Sequence, residues 1–363
     1  MHKNFWSEQI EKYKKLAFLA PMDGYGDSAY RQSMKRIASH IYCISEFYSA
    51  DGLVHSKFLA SSVLPHREIE KPLIVQIFWK DPQRFAEAAK IIEWYWVAGI
   101  DVNMGCPAKK VVRSGHGSSL LINEQTAFDI VKALDEATSL PVSVKTRLSF
   151  DGNQDLIAFA QGLQKAWAKL ITIHGRTAKQ AYTGKADFTN IYELKRNLDI
   201  PVICNGDVLN YTDGMNKVQD LDGFMIGRMS FGNPWTFIPS PKLWQDFSEK
   251  YWSSELFTNI EKKSGYRDEK NFIENCYQPT LREMLEAMEF HASELVKTKW
   301  ERKGSLEIRK HLVQYLKSFP WVKDYRKRLV TTESIEDTKA TLLEIAELFS
   351  SELSKRPWLW EIW

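Results

Sequence analysis

The chain has 363 residues, 44% of them hydrophobic, and a formal net charge of +3, values that fit a soluble globular protein with one large domain and one small domain. Its four cysteines are scattered without a Cys-x-x-Cys pair, which argues against a disulfide framework and a zinc site and favours a reducing compartment. The apolar run 16–22 is too short to span a bilayer. We therefore expect a cytoplasmic monomer that binds no metal and no membrane.

Eight short apolar runs alternate with helix-length segments up to about residue 230. This alternation predicts an α/β fold of the parallel (β/α)8 TIM-barrel type. A doubly wound sheet is the alternative, but polar and glycine residues recur at the carboxyl ends of nearly all the runs, which favours a barrel. The predicted strands cover 16–22, 40–47, 72–79, 99–105, 141–148, 170–175, 201–206 and 223–228.

Two of the segments between these runs carry specific helix signals. Pro82 stands near the start of the segment 82–96, and Asn123 is a candidate cap for the segment 123–137. The apolar face of the second segment consists of Ala127, Ile130, Val131 and Leu134.

The pattern changes near residue 241, where strand-like runs stop. Helical segments follow at 279–296, 306–317 and 334–353. We therefore predict a TIM-barrel catalytic domain at 1–240 and a small all-helical domain at 241–363, with Pro239-Ser240-Pro241 among the boundary signals.

Positive charge is concentrated in the predicted helical domain. Residues 295–330 contain 11 Lys or Arg and three acidic residues, a net +8 that leaves −5 for the rest of the chain. Such a cluster can be a solvated helix face. The asymmetry also fits a polyanionic partner, because Lys and Arg release counterions when they neutralise phosphates. Arg326, Lys327 and Arg328 form its densest part.

Cys106 follows a predicted buried strand and lies between Gly105 and Pro107. The glycine permits a sharp turn and the proline fixes φ, so the cysteine is expected on a stiff corner at the mouth of the barrel. Cys43 and Cys204 lie inside apolar runs and are interpreted as small buried hydrophobic residues. A nucleophilic pair of Cys106 with His116 remains an alternative.

Polar residues end most of the other predicted strands. Lys145 and Arg147 lie two residues apart and therefore on one side of strand five. Glycines end strands seven and eight, at Asn205-Gly206-Asp207 and Gly227-Arg228, where barrels often bind phosphate. A positive charge from Lys145 would stabilise negative charge on a reduced ring system. A phosphate-bearing cofactor is therefore expected at this mouth.

These strand-end residues together resemble the tRNA-dihydrouridine synthases, in order from about residue 16 to 235. The C-terminal Arg309-Lys310-His311 also resembles the bacterial members. The barrel motifs that carry the resemblance are Ala20-Pro21-Met22, Asn103-Met104-Gly105-Cys106-Pro107-Ala108, Lys145-Thr146-Arg147, His174-Gly175-Arg176-Thr177, Tyr182-Thr183-Gly184, Asn205-Gly206-Asp207 and Gly227-Arg228.

The resemblance implies an FMN-containing, NADPH-dependent barrel that reduces the C5–C6 double bond of uridine in tRNA. Cys106 would be the proton donor, with Asn103 and Arg147 near the substrate. A thiol with an ordinary pKa of about 8.5 is mostly protonated at neutral pH and can donate a proton to C5. The implied flavin contacts are Pro21, Met22, Asp23, Gln76, Lys145, His174, Asn205, Gly206, Asp207, Gly227 and Arg228.

The target base lies within a folded RNA and must be extruded to reach such a pocket. We therefore assign RNA binding to the basic helical domain, with Arg326, Lys327 and Arg328 as its candidate contacts. Two alternatives remain. One is an FMN barrel that acts on a free small molecule, and the other is a tRNA-binding protein that no longer catalyses a reaction.

Overall fold

The computed structural model describes residues 5–240, 272–273 and 276–354. Eight parallel strands form a closed barrel in which each strand pairs with the next and the first pairs with the eighth. The predicted (β/α)8 barrel is confirmed. The strands are β1 (Leu16–Leu19), β2 (Tyr42–Ser49), β3 (Leu73–Phe78), β4 (Gly99–Asn103), β5 (Val142–Arg147), β6 (Leu170–His174), β7 (Val202–Asn205) and β8 (Gly223–Ile226).

Helices precede β1 and occupy the connections between the strands. They are α1 (Phe5–Tyr13), α2 (Ser28–Ile37), α3 (Ala50–His55), α4 (Lys57–Val63), α5 (Pro82–Glu93), α6 (Lys109–Arg113), α7 (Glu124–Ala137), α8 (Leu156–Lys165), α9 (Thr189–Lys195) and α10 (Tyr211–Val218).

The two helices with specific sequence signals differ from prediction only at their ends. Helix α5 stops at Glu93, and Trp96 adopts a φ of 55° that no helix can continue through. The predicted buried face of α7 is confirmed, and Asn123 is the N-cap residue, but its side chain does not cap the helix. The Asn123 side chain donates to the Ser119 carbonyl at 2.9 Å instead of accepting from the helix.

Apolar side chains form one core inside the barrel and another between the strands and the helices. On β1, Phe18 belongs to the interior core, whereas Ala17 and Leu19 belong to the outer one, as the alternation of a strand requires. Helix α1 covers the end of the barrel where the strands begin. Its Trp6 is buried against Phe18 and Tyr42. The opposite end is therefore the one available for a site.

The described part of the C-terminal region is mostly helical. It contains α11 (Leu281–Lys299), α12 (Glu301–Tyr315), α13 (Lys323–Leu329) and α14 (Ile335–Leu348). The prediction of an all-helical domain is incomplete, because an antiparallel pair of strands, β9 (Phe272–Ile273) and β10 (Cys276–Tyr277), precedes α11. Strands of two residues are too short to give a period-two signal.

The proposed domain boundary at residues 240 and 241 remains a prediction, and Pro241 lies outside the described residues. Among those residues, no helix is both long enough and apolar enough to cross a membrane.

Helices α11 and α12 join the barrel through polar and aromatic contacts. Lys299 donates to Asp27 at 2.7 Å and also binds Glu307. Lys310 donates to the carbonyl of Gly24 in the loop after β1. The C-terminal helices therefore hold the loop that leaves the first strand.

Two neutral histidines are buried in the same contact. The rings of His291 and His311 lie 4.6 Å apart, and both lie against Tyr30 of α2. Burial lowers the pKa of His291 to about 4 and the pKa of His311 to about 2, while Lys299 and Lys310 oppose protonation and Asp27 favours it. Both imidazoles are therefore uncharged in this contact at neutral pH.

This burial predicts a loss of stability in mild acid. The folded pKa values lie below the unfolded value of about 6.5, so the unfolded state binds more protons and stability falls as the pH drops below about 6.5. Between pH 7 and pH 5, each histidine should lower the free energy of unfolding by about 2 kcal/mol. Thermal unfolding across this range should show the loss, and the variant His311→Phe should show less of it. An equal pH dependence in the variant and the parent would contradict this assignment.

Candidate functional site

A cavity of about 1010 Å³ opens at the end of the barrel where the strands terminate. The strand register places Arg147, His174 and Asn205 side by side on three neighbouring strands, and Asn103 beside Lys145. The structure brings most of the sequence-predicted site residues together here. Those that line the cavity are Pro21, Met22, Asp23, Asn103, Cys106, Lys145, Arg147, His174, Asn205, Gly206, Asp207, Gly227 and Arg228.

Cys106 occupies the corner that its neighbours predict. Its N–H donates to the Asn103 side-chain oxygen at 3.0 Å, and its carbonyl accepts from the Ser118 N–H at 3.2 Å. Gly117 has a φ of 60°, and a Cβ there would lie 3.0 Å from the Cys106 carbonyl oxygen. The loop therefore closes tightly behind the cysteine. Partial burial raises the pKa of the Cys106 thiol, which favours the protonated form at neutral pH.

The alternative pairing of Cys106 with His116 is not formed. The His116 ring stacks on Trp79 with centroids 4.4 Å apart. Its Nε2 atom is buried and has no hydrogen-bond partner among the described residues. His116 thus anchors the loop that follows Cys106, and burial lowers its pKa.

Gln76 lies behind the cavity wall. Its side chain is fully buried and joins Asn103 to Asp101, with Asn103 Nδ2 donating to Gln76 Oε1 at 2.8 Å and Gln76 Nε2 donating to Asp101 Oδ2 at 2.7 Å. Among the predicted cofactor residues, it is the one that does not line the cavity.

Lys145 brings a positive charge to the floor of the site. Its ammonium makes no hydrogen bond or ion pair with the described part of the chain. Burial, and then the charge of Arg147, lowers the pKa of Lys145 to about 8, while Asp101 opposes the shift. The amine is mainly charged at neutral pH and remains available to an anionic group.

The carboxyl ends of β7 and β8 form an anion cradle. The N–H groups of Gly206, Asp207, Gly227 and Arg228 donate no backbone hydrogen bond within the described residues. Gly206 has a φ of 112°, and a Cβ there would lie 2.8 Å from the Ala186 Cβ. Free N–H groups and a required glycine are the features of a phosphate-binding turn.

The negative charge of the Asp207 carboxylate beside this cradle is neutralised by arginines. It pairs with Arg176 at 2.6 Å and faces Arg228 at 3.6 Å. Burial alone would raise the pKa of Asp207, but these contacts and the Ala186 N–H lower it. The arginines thus offset the negative charge of Asp207 beside the free N–H groups.

His174 is neutral and incompletely bonded. Burial lowers its pKa to about 2, with further lowering by Lys145 and Arg147. Its Nδ1 atom is buried and unpartnered among the described residues. A buried polar atom of this kind is satisfied by a ligand or by water.

Tyr182 is a site residue that the sequence prediction omitted, although it lies in one of the quoted motifs. Its ring is 60% exposed and is flanked by the guanidinium groups of Arg147 and Arg228, 5.8 and 5.0 Å from its centroid. Arg147 also donates to the carbonyl of Gly105 at 2.8 Å. Arg147 therefore braces the Cys106 corner and also lies against the Tyr182 ring at the mouth of the cavity.

Arg326, Lys327 and Arg328 lie on α13, away from the cavity wall. Arg328 pairs with Glu344 at 2.6 Å, whereas Arg326 and Lys327 have no ion pair within the described chain. Across the described residues, no group of three or more His, Cys, Asp or Glu side chains could hold a metal ion.

Comparison with known proteins identifies the family. The dihydrouridine synthase family model matches residues 18–351. A probable tRNA-dihydrouridine synthase 1 of Synechocystis is 33% identical, with 89% of this chain and 84% of that protein covered. The corresponding probable enzymes of Rickettsia conorii and Aquifex aeolicus are each 31% identical and cover 92% and 91% of this chain and 93% and 95% of their own lengths. The chain belongs to the dihydrouridine synthase family.

Proposed function

We propose that this oxidoreductase reduces the C5–C6 double bond of uridine in tRNA, with Cys106 as the proton donor. The observation that carries the proposal is the half-buried Cys106 thiol, held on a rigid corner in the same cavity as Lys145 and the anion cradle. The family match and the names of the relatives support tRNA as the substrate.

The cavity fits FMN. The free N–H groups of Gly206, Asp207, Gly227 and Arg228 would hold its phosphate, and the unpartnered His174 and Lys145 would face its polar atoms. FMN, when bound, supplies a hydride to C6 of the base and is reduced again by NADPH. Lys145 would stabilise the negative charge of the reduced ring. The other residues in the proposed cofactor site are Pro21, Met22, Asp23, Asn205 and, from behind the wall, Gln76.

The thiol completes the reduction. Addition of hydride at C6 leaves enolate character at C5 and its neighbouring carbonyl, and a positioned acid must deliver a proton there. Cys106 holds that proton because burial raises its pKa. Asn103 retains one Nδ2–H beyond the bond to Gln76, and this hydrogen is available to a carbonyl of the base.

Unpaired cations occur on both parts of the protein. In the barrel, Lys109, Lys110 and Arg113 of α6 are exposed and have no ion pair among the described residues. On α13, Lys327 is exposed and Arg326 is partly exposed, and neither has an ion pair among the described residues. A free uracil-sized substrate needs no such surface, whereas an RNA backbone does. The charges therefore favour RNA over a small molecule.

The variant Cys106→Ala tests the role of the thiol as proton donor. The variant should bind FMN and accept hydride from NADPH as the parent does, because Cys106 takes part in neither step. Dihydrouridine formation should fall by at least about 100-fold, the range expected when a general acid is removed. Flavin absorbance follows the first step, and nucleoside analysis of the tRNA follows the second.

Cys276→Ala is the matched control, because it removes a thiol from β10 outside the cavity. Normal dihydrouridine formation by Cys106→Ala would contradict the proton-donor role. Purified protein that is colourless and cannot be reconstituted with FMN would instead support a tRNA-binding protein without catalysis.

A triple replacement tests the basic cluster on α13. Replacing Arg326, Lys327 and Arg328 together with alanine should weaken tRNA binding and reduce the slope of log affinity against log salt by up to about 2. The reduction should be smaller than three contacts would give, because Glu344 already neutralises Arg328. Filter binding over a salt series measures both quantities.

The triple variant Lys90→Ala/Lys132→Ala/Lys165→Ala removes the same charge from exposed positions on the outer barrel helices. It should bind tRNA more tightly than the α13 variant does. Equal effects of the two triple variants would identify the α13 cluster as an ordinary solvated face. The cytoplasmic location and the monomeric state remain predictions.

A further inference from the structure

A buried chain of side-chain hydrogen bonds leads from Asp101 to the Cys106 corner. Asp101 accepts from Ser143 Oγ at 2.6 Å and from Gln76 Nε2 at 2.7 Å. Gln76 Oε1 accepts from Asn103 Nδ2 at 2.8 Å, and Asn103 Oδ1 accepts from the Cys106 N–H at 3.0 Å. The chain joins a carboxylate that does not line the cavity to the proposed proton donor.

Every donor in this series of hydrogen bonds meets an acceptor in only one orientation of the two amide side chains. An ionised carboxylate can only accept, so Gln76 must turn its NH2 group toward Asp101 and its oxygen toward Asn103. Asn103 must then present its NH2 group to Gln76, which leaves its oxygen for the backbone N–H groups of Gly105 and Cys106. A reversed Gln76 would place two NH2 groups face to face.

Because these side chains are buried, the wrong orientation of either amide would be energetically costly. Asp101 and Gln76 are fully buried and Asn103 nearly so, and an unsatisfied donor in such a place costs about 1–3 kcal/mol. Burial raises the pKa of Asp101 to about 6, against the hydrogen bonds from Ser143 and Gln76 and the charge of Lys145, which lower it. The group is therefore mainly a carboxylate at neutral pH.

We propose that Asp101 is a positioning residue: by accepting from Gln76 it fixes the orientation of the Gln76 and Asn103 amides, and so holds the corner that carries Cys106. This inference rests on the proposed role of Cys106 as proton donor. Asp101 does not line the cavity and would touch neither substrate nor cofactor. It acts only through Gln76 and Asn103.

Three substitutions separate the effect of the Asp101 hydrogen-bond acceptor from the effect of its charge. Asp101→Leu removes the acceptor at similar size, whereas Asp101→Asn keeps an oxygen for Gln76 and loses the charge. Ser143→Ala removes the other partner of Asp101 and leaves the chain to Cys106 intact. Each FMN-loaded protein is reduced with NADPH and then mixed with tRNA, and flavin reduction and flavin reoxidation are timed separately.

Flavin reduction should stay within about twofold of the parent in Asp101→Asn and Ser143→Ala, and in Asp101→Leu it should slow less than reoxidation does, because Gln76 lies behind the cavity wall. Reoxidation by tRNA should slow by at least about tenfold in Asp101→Leu, because small misplacements of a reacting group cost this much or more. Asp101→Asn and Ser143→Ala should stay within about threefold of the parent, since both keep an acceptor for Gln76. This pattern would support the positioning role.

Other patterns would overturn it. Parent-like reoxidation in Asp101→Leu would show that the chain does not govern Cys106. Equal slowing in Asp101→Leu and Asp101→Asn would assign the effect to the charge, and equal slowing in Ser143→Ala would assign it to general disruption. Failure of the parent itself to be reoxidised by tRNA would overturn the proposed function instead.

A second readout needs neither cofactor nor substrate. If Asp101→Leu does not fold, Gln76→Met breaks the same chain one bond nearer to Asn103 and keeps Asp101. In Gln76→Met, iodoacetamide should alkylate Cys106 at least about threefold faster than in the parent at neutral pH, because a loosened corner exposes the thiol. An unchanged alkylation rate in a folded Gln76→Met variant would contradict the proposal.

Discussion

The hydrogen bond from the Cys106 N–H to the Asn103 side chain is the contact on which the site depends. It turns the chain sharply at the end of β4 and fixes one thiol in the cavity at the carboxyl end of the barrel. Three further contacts secure the same turn. Arg147 binds the Gly105 carbonyl, Ser118 binds the Cys106 carbonyl, and Gln76 binds Asn103 from below. The proposed reaction requires a thiol held in this way, so that it meets a planar base on one face while the cofactor meets the other.

Burial sets the protonation of the groups around that thiol. The same loss of solvent raises the pKa of Cys106 and lowers those of Lys145 and His174. The cysteine therefore keeps its proton, the histidine stays neutral, and the lysine remains mostly charged at neutral pH. This combination is unlike that of a nucleophilic cysteine, whose thiolate is favoured by a neighbouring base. It suits an acid next to an electron-rich ring.

Features with a local physical cause could be predicted from the sequence. The eight strands follow from apolar runs of strand length, and the buried face of α7 follows from helical periodicity. The cavity residues at the strand ends follow from barrel closure, which brings the carboxyl ends of all the strands to one mouth.

Features that depend on partners distant in sequence could not be predicted. His116 stacks on Trp79, Arg328 pairs with Glu344, and Gln76 lies under Asn103. Each side chain has several plausible partners by composition alone, and only the folded chain selects one. The side chain of Asn123 is a different case, because its partner, the Ser119 carbonyl, is close in sequence and competes successfully with the helix N–H groups. The pair β9 and β10 is too short to leave a pattern.

The pKa of the Cys106 thiol tests the central claim most directly. It can be measured from the pH dependence of iodoacetamide alkylation in a variant whose other three cysteines are replaced. We expect a pKa above the ordinary value of about 8.5, because burial disfavours the thiolate. A value below about 7 would mean that the site stabilises a thiolate, and it would contradict the assignment of Cys106 as a proton donor.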